Sequence, residues 1–395
     1  MCDTLQPRMP PTLNYNVLVM RTQGGRFFMA TEYSKRDFLL SKLDDIDEIN
    51  YDGLSDFESL YLLTELKKTK KLISNSFEYE KFSSPDKAFK SIDEQIELLR
   101  SRNLNFSNET RARELLKECQ YYRITAYRYP FVLPQDKDKF RDGIDFNDIW
   151  DLYIFDRRLR FLVIDAIERI EVSLRSRWAH VLAGKYGILA YQDNSVFDNQ
   201  MIRKTLARII FENVQSSDQP CITHYLENKQ KIPIWGLCEV LTYGELLSMF
   251  NAIKPRKIKN EILNGFDLDE KVASSFFNAL RIVRNICAHH GRLWNKRLFL
   301  NFIAPTRPQN LSETINYPII AESDSDEVQS KKLDTQKSIY NIIVMLLYFV
   351  GKIAPQSKWR SRLTHLLNSP ENTKYLPQMG FPADWKSRPL WNEPV

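Results

Sequence analysis

Apolar residues recur at intervals of three and four along most of the chain after residue 84, which is the spacing that places them on one face of an α-helix. The clearest case runs from Phe146 to Ala183 and predicts the longest helix of the protein. Gly184 and Gly187 follow it, and glycine commonly ends a helix. The apolar face of this helix comprises Phe155, Leu159, Leu162, Ala166 and Ile170.

The opposite face of the same helix carries charged residues, which face solvent or lend polar support to a neighbouring site. Glu171 and Arg175 are four residues apart and are predicted to form an ion pair on the helix surface. The charged residues of this face are Asp156, Arg160, Glu168, Glu171 and Arg175.

Further helices follow from the same periodicity, and no run of alternating apolar and polar residues predicts a strand. The low glycine count, 12 residues, also favours helices over a glycine-rich sheet fold. The predicted fold class is therefore all-α. One further helix is predicted to begin near residue 84. The others are predicted at 107–127, 198–214, 235–252, 269–298 and 335–353.

The domain organisation predicted from these patterns has four parts. Residues 1–80 lack a clear period and form an additional N-terminal region of unknown role, with Met20 and Met29 as alternative start positions. An N-terminal helical subdomain follows over 81–145 and the main helical domain over 146–368. The last part, 369–395, is a C-terminal tail.

Charge and composition narrow the function only slightly. The net charge of +6 and pI near 8.8 are compatible with a nucleic-acid partner but do not require one. The five cysteines are scattered without a CxxC pair, which is typical of reduced thiols and predicts no bound metal. The longest apolar run, 342–350, is too short to span a bilayer, and no signal-peptide pattern is present. A soluble, cytoplasmic protein without a membrane partner is expected.

One segment, Arg281–Asn295, concentrates residue types that perform catalysis. It holds two of the five histidines and three arginines. Continued as a helix, with about 100° per residue, the segment places His290 on a narrow packing face, which makes a buried core histidine its leading interpretation. That face also holds Val283, Cys287 and Trp294. The opposite arc carries Arg281, Arg284, Asn285, Ala288, His289 and Arg292.

The polar arc suggests acid–base chemistry on a phosphate. His289 can move a proton near neutral pH, and Arg284 offers a fixed charge whose planar shape suits phosphate oxygens. Asn285, one turn earlier, can orient the imidazole by a hydrogen bond. A surface cluster of ion pairs and caps is the competing interpretation. Arg284 and His289 differ by about 140° around the helix, so two copies across a dimer axis would converge better on one phosphate.

Four segments, in the same order along the chain, resemble a known protein family, and this resemblance favours phosphate chemistry over a surface cluster of ion pairs. Arg284-Asn285-Ile286-Cys287-Ala288-His289 resembles the Arg-x4-His motif of the HEPN ribonuclease superfamily, and with His290 through Asn295 it resembles the signature of the Abi-like proteins of bacterial phage defence, the AbiD/AbiF group. Segment 119–127 resembles the family's asparagine-Tyr-Tyr-Arg element, with Gln120 in the asparagine position. Segments 152–175 and 233–246 resemble its long helix and the block that follows.

The resemblance implies an all-α, HEPN-like helical bundle and an endoribonuclease that needs no metal or other cofactor. His289 and Arg284 would be catalytic, with Asn285 beside them, and the site would be completed across a homodimer. The substrate would be RNA, and an RNA or protein antitoxin is a further expected partner of such a toxin or abortive-infection effector. Supporting roles would fall to His290, Glu168, Glu171, Arg175, Arg281 and Arg292.

Two other functions stay open at this point. One is a non-catalytic HEPN module that binds RNA or a partner protein through Arg284 and His289. The other is a metalloenzyme that uses His289 and His290, which is disfavoured because no acidic or cysteine ligand has a helpful spacing nearby.

Overall fold

The computed structural model describes residues 87–197, 208–299 and 302–392, together with residues 67, 71, 83 and 206. The chain divides into two units, one comprising residues 1–55 and 62–84 and the other 56–61 and 85–395. Nearly all described residues lie in the second unit. The predicted N-terminal region 1–80, with its alternative start positions, lies almost wholly outside the described residues, as does the start of the predicted helix 198–214.

The described part of the chain is built from α-helices and contains no sheet, which confirms the predicted all-α class. None of the described helices is both long enough and apolar enough to cross a membrane. The helices are α1 (Ile92–Ser101), α2 (Glu109–Cys119), α3 (Tyr121–Thr125), α4 (Phe146–Tyr186), α5 (Pro220–Glu227), α6 (Ile234–Val240), α7 (Tyr243–Asn251), α8 (Arg256–Ile262), α9 (Glu270–Ala288), α10 (Gln309–Thr314), α11 (Asp326–Gln336), α12 (Ile339–Ile353), α13 (Trp359–Asn368), α14 (Pro370–Thr373) and α15 (Pro389–Asn392).

The 41-residue helix α4 is the centre of the second unit, and α6, α8, α9, α12 and α13 all pack against it. Asp145 begins the helix with a capping box, in which its side chain and that of Asp148 satisfy free backbone N–H groups. Gly187, with φ 83°, ends it. Most of the predicted apolar face is buried: Phe155, Leu159, Ala166 and Ile170 are inaccessible, and Leu162 is partly buried.

Two long helices predicted from the periodicity are each interrupted. The predicted helix 107–127 breaks at Gln120, whose φ of 58° is incompatible with a right-handed helix. The predicted helix 235–252 breaks before Thr242, whose capping box with Glu245 starts a new helix, α7.

The C-terminal segment after residue 368, expected as a tail, contributes to the core instead. Met379, Phe381, Trp385 and Leu390 are all buried there, and the rings of Trp385 and Trp391 lie 4.8 Å apart. Short helical turns with proline near their starts separate these residues, so the segment has no long apolar period by which a helix could be predicted.

Candidate active site at the end of helix α9

Helix α9 ends ten residues before its predicted end, in a turn closed by two backbone hydrogen bonds. The N–H of Gly291 donates to Ile286 O (2.8 Å), and the N–H of His290 donates to Cys287 O (3.1 Å). These two bonds and the left-handed φ of 56° at His290 define a Schellman motif. His289 therefore stands at the C-cap, directly after Ala288, the last residue of the helix.

The expectation that His290 is a core histidine is wrong. Its side chain is exposed, whereas Val283, Cys287 and Trp294, predicted for the same face, are buried. The helical projection holds only as far as the C-cap residue His289. Beyond that residue the left-handed conformation of His290 turns the chain, so its side chain leaves the packing face.

The three residues expected to be catalytic reach the surface together at this helix end. Arg284 is partly exposed, and Asn285 and His289 are exposed. Within the described ranges, none of their side chains forms a hydrogen bond or an ion pair. The expected hydrogen bond from Asn285 to the imidazole is therefore not formed; the two residues are joined only by the backbone bond from His289 N to Asn285 O (3.0 Å).

A buried carboxylate holds the segment that follows. Asp156 of α4 accepts hydrogen bonds from Tyr127 Oη (2.5 Å), Trp294 N (2.6 Å) and Leu293 N (3.2 Å), and it forms an ion pair with Arg160. Asp156 and Arg160 are buried, so of the two interpretations left open for them the solvent-exposed face is wrong. Periodicity does not reveal this burial, because the groups that surround the pair, Tyr127, Leu293 and Trp294, lie 29 to 138 positions from Asp156 in the sequence.

Burial also shifts the pKa values of the ionisable groups in and around this network. Burial raises the pKa of the Asp156 carboxyl, and the positive charge of Arg160 and the surrounding donors oppose that effect. Burial, together with the neighbouring Asp156 charge, also raises the pKa of the Tyr127 hydroxyl. The pKa of the Cys287 thiol is raised to about 12, again mainly by burial. Cys287 thus stays protonated near neutral pH, although it lies inside the motif, and it is no nucleophile.

Two arginines tie the turn after α9 to the segment around α3. Arg123 Nη1 donates to His290 O (2.8 Å), and the Arg292 guanidinium donates to the carbonyl of Ala126. Arg292, expected in a supporting role, thus holds the backbone in place. Arg123 lies in segment 119–127 and had no predicted role at the site, because its contact partner is 167 positions away in the sequence.

The remaining expected supporting residues are Glu171, Arg175 and Glu168 on α4 and Arg281 on α9. The predicted ion pair between Glu171 and Arg175 is confirmed, and Arg175 also donates to Leu241 O (2.7 Å) at the end of α6. Arg175 is about 28 Å along the helix axis from Asp156, at about 1.5 Å per residue. Glu168 is exposed on the same helix, and Arg281 is exposed on α9 beside Gly244. The structure therefore does not bring Glu171 and Arg175 to the end of α9.

Among the described residues, no three His, Cys, Asp or Glu side chains lie close enough together to hold a metal ion. His289 and His290 adopt different backbone conformations on either side of the helix end. The features that define this site are thus an all-helical scaffold, a buried polar network and a surface arginine and histidine without partners in the described chain.

Residues 114–295 match the family model of the Abi-like proteins. The matched range begins in α2 and ends one residue after Trp294. It includes every residue of the buried network as well as the exposed arginine and histidine. No curated protein and no solved structure matches the chain significantly.

Replacing Asp156 by asparagine should destabilise the fold strongly. The change leaves Arg160 buried without its counter-charge and presents an amide N–H₂ to groups that are themselves donors. The expected loss is about 3 to 5 kcal/mol in the free energy of unfolding, measured by urea denaturation. Asp151→Asn, an exposed position on the same helix, is the matched control and should change it by less than about 0.5 kcal/mol. Equal stability of the two variants would contradict the role of the network.

Replacing His290 by glycine should stabilise the protein. Glycine adopts positive φ without steric cost, so His290→Gly is expected to raise the free energy of unfolding by about 1 kcal/mol. His290→Ala should lower it, because alanine tolerates this conformation less well. Thermal and urea denaturation of both variants measure the effect. A loss of stability in the glycine variant would indicate a packing role for the imidazole after all.

Proposed function

We propose that the protein is a metal-independent endoribonuclease that acts as an abortive-infection or toxin effector in bacterial phage defence. The observation that carries the proposal is the contrast at the end of α9. The polar groups around the turn are used to hold it, whereas Arg284 and His289 stand at the surface without partners in the described chain. The match of residues 114–295 to the Abi-like family supports the biological setting.

The chemistry follows from these two side chains. The ribose 2′-hydroxyl attacks the adjacent phosphorus, and the bond to the 5′-oxygen breaks, which leaves a 2′,3′-cyclic phosphate and a 5′-hydroxyl. The imidazole of His289 moves the proton, either from the attacking oxygen or to the leaving one. Arg284 stabilises the negative charge that develops on the phosphate oxygens. Since DNA lacks the 2′-hydroxyl, it is not cleaved.

Removal of either side chain should abolish cleavage without unfolding the protein. Arg284→Ala and His289→Ala are each expected to lower the rate of RNA cleavage by about 100-fold or more, the usual effect of losing a charge stabiliser or an acid–base group. The measurement is the rate of cleavage of labelled RNA with EDTA present. Both positions are exposed or partly exposed, so circular dichroism spectra should match those of the unaltered protein.

Matched controls exist for both changes. Lys271→Ala removes a positive charge from an exposed position of the same helix, and His180→Ala removes an exposed histidine from α4. Neither should alter the cleavage rate. RNA that is bound but never cleaved would favour a non-catalytic RNA-binding module, and cleavage abolished by EDTA would favour a metalloenzyme.

We further propose that the site is shared between two chains of a homodimer, because the helix positions of Arg284 and His289 diverge by about 140°. Mixing the inactive Arg284→Ala and His289→Ala chains should then restore cleavage. One of the two sites in each mixed dimer would combine the intact arginine of one chain with the intact histidine of the other. Random exchange would restore about a quarter of the unaltered activity.

Refolding the two variants together and assaying the mixture tests this arrangement. A mixture as inactive as its components would place Arg284 and His289 of one site on the same chain, and the proposal of a shared site would be withdrawn. Each variant refolded with unaltered chain serves as the control for exchange.

A further inference from the structure

Two exposed tyrosines lie in the segment that Arg123 and Arg292 tie to the end of α9. Tyr122 in α3 is 70% exposed and Tyr129, shortly after it, is 60% exposed. Most large aromatic side chains of the described chain lie in the core instead. Tyr122 is followed directly by Arg123, whose guanidinium touches the backbone of His290. Its Cα is therefore about 3.8 Å from that of Arg123.

The Tyr122 ring is held from one side. The ring of Tyr121 packs against it edge-on, with centroids 5.8 Å apart and planes at 88°. Tyr121 is itself fixed, because Arg102 Nη1 donates to its hydroxyl (3.2 Å). Ordering a side chain before a ligand arrives lowers the entropic cost of binding. An exposed ring that a neighbour restrains in this way suits stacking better than a freely rotating one.

Arg123 adds a charge next to the ring. Only its Nη1 atom is engaged by a described residue, through the bond to His290 O, and a guanidinium carries five N–H donors. The remaining donors are available to a phosphate beside the helix end. An aromatic ring next to a guanidinium group is a combination with which proteins bind single-stranded nucleic acid.

We propose that Tyr122 stacks on an unpaired base next to the cleaved linkage and that Arg123 contacts the adjoining phosphate. This inference rests on the proposed RNA cleavage, because the bound strand is its substrate. It assigns the substrate to the single-stranded class, since a base within a duplex is already stacked on its neighbours and cannot cover the ring. Recognition by stacking tolerates any base, so the subsite selects for unpaired structure more than for sequence.

The test measures binding separately from cleavage. His289→Ala is used as the inactive background, and anisotropy gives the Kd of a labelled single-stranded oligoribonucleotide of mixed sequence and of the corresponding blunt duplex. Adding Tyr122→Ala should weaken single-strand binding by about 5- to 150-fold, the range for loss of one stacked base. Tyr122→Phe, which retains the ring, should bind like the background. The duplex affinity should change little in either variant.

Two controls sharpen the assignment. Phe161→Ala removes a comparably exposed ring from α4 and should not affect binding. Abasic nucleotides placed at successive positions should reveal one position where the loss of the base weakens binding in the background but not in the Tyr122→Ala variant. Additive effects at every position would overturn the stacking contact.

The outcomes separate this inference from the proposed function. Cleavage by the unaltered protein, with single-strand binding that does not depend on Tyr122, would overturn the stacking subsite and leave the nuclease intact. Tyr122-dependent binding without any cleavage would support the subsite and contradict the nuclease. Equal loss of single-strand and duplex affinity in Tyr122→Ala would overturn the assignment to unpaired bases.

Discussion

The carboxylate of Asp156 accepts hydrogen bonds or an ion pair from four groups in the interior of the protein: the Tyr127 hydroxyl, the Arg160 guanidinium, and the backbone N–H groups of Leu293 and Trp294. A charge without partners at this depth would be strongly unfavourable. The donors satisfy it only when α4, the segment after α3 and the turn after α9 are all in place. The folded arrangement of these three stretches is therefore a condition for burying Asp156.

The polar residues near the end of α9 fall into two groups: those that hold the fold together and those whose side chains have no partner in the described chain. Arg160 and Arg292 hold other parts of the fold, and Arg123 uses one donor to hold His290. The side chains of Arg284 and His289 form no hydrogen bond or ion pair within the described chain. Hydrogen bonds across the turn hold the backbone from which Arg284 and His289 project, and the proposed cleavage requires a preorganised site of this kind.

The long helix α4 and its apolar face were predictable, because many successive residues carry the same period. His290 was not, because one left-handed residue ends the helix and no local pattern requires it there. Arg123 had no predicted role, and Asp156 was left open between a solvent-facing and a supporting position, because the backbone groups that they bind, in His290 and in Leu293 and Trp294, are more than a hundred residues away.

What the sequence by itself determined was the helical class, the central helix, and the group of residues in which Arg284 and His289 occur, because periodicity and residue chemistry are local properties. Only the tertiary structure decided that α9 ends at Ala288, that Asp156 and Arg160 are buried, and that the exposed Tyr122 belongs to a segment tied to the motif. Each of these depends on hydrogen bonds between distant segments or on the backbone conformation of a single residue, and neither leaves a repeating signal in the chain.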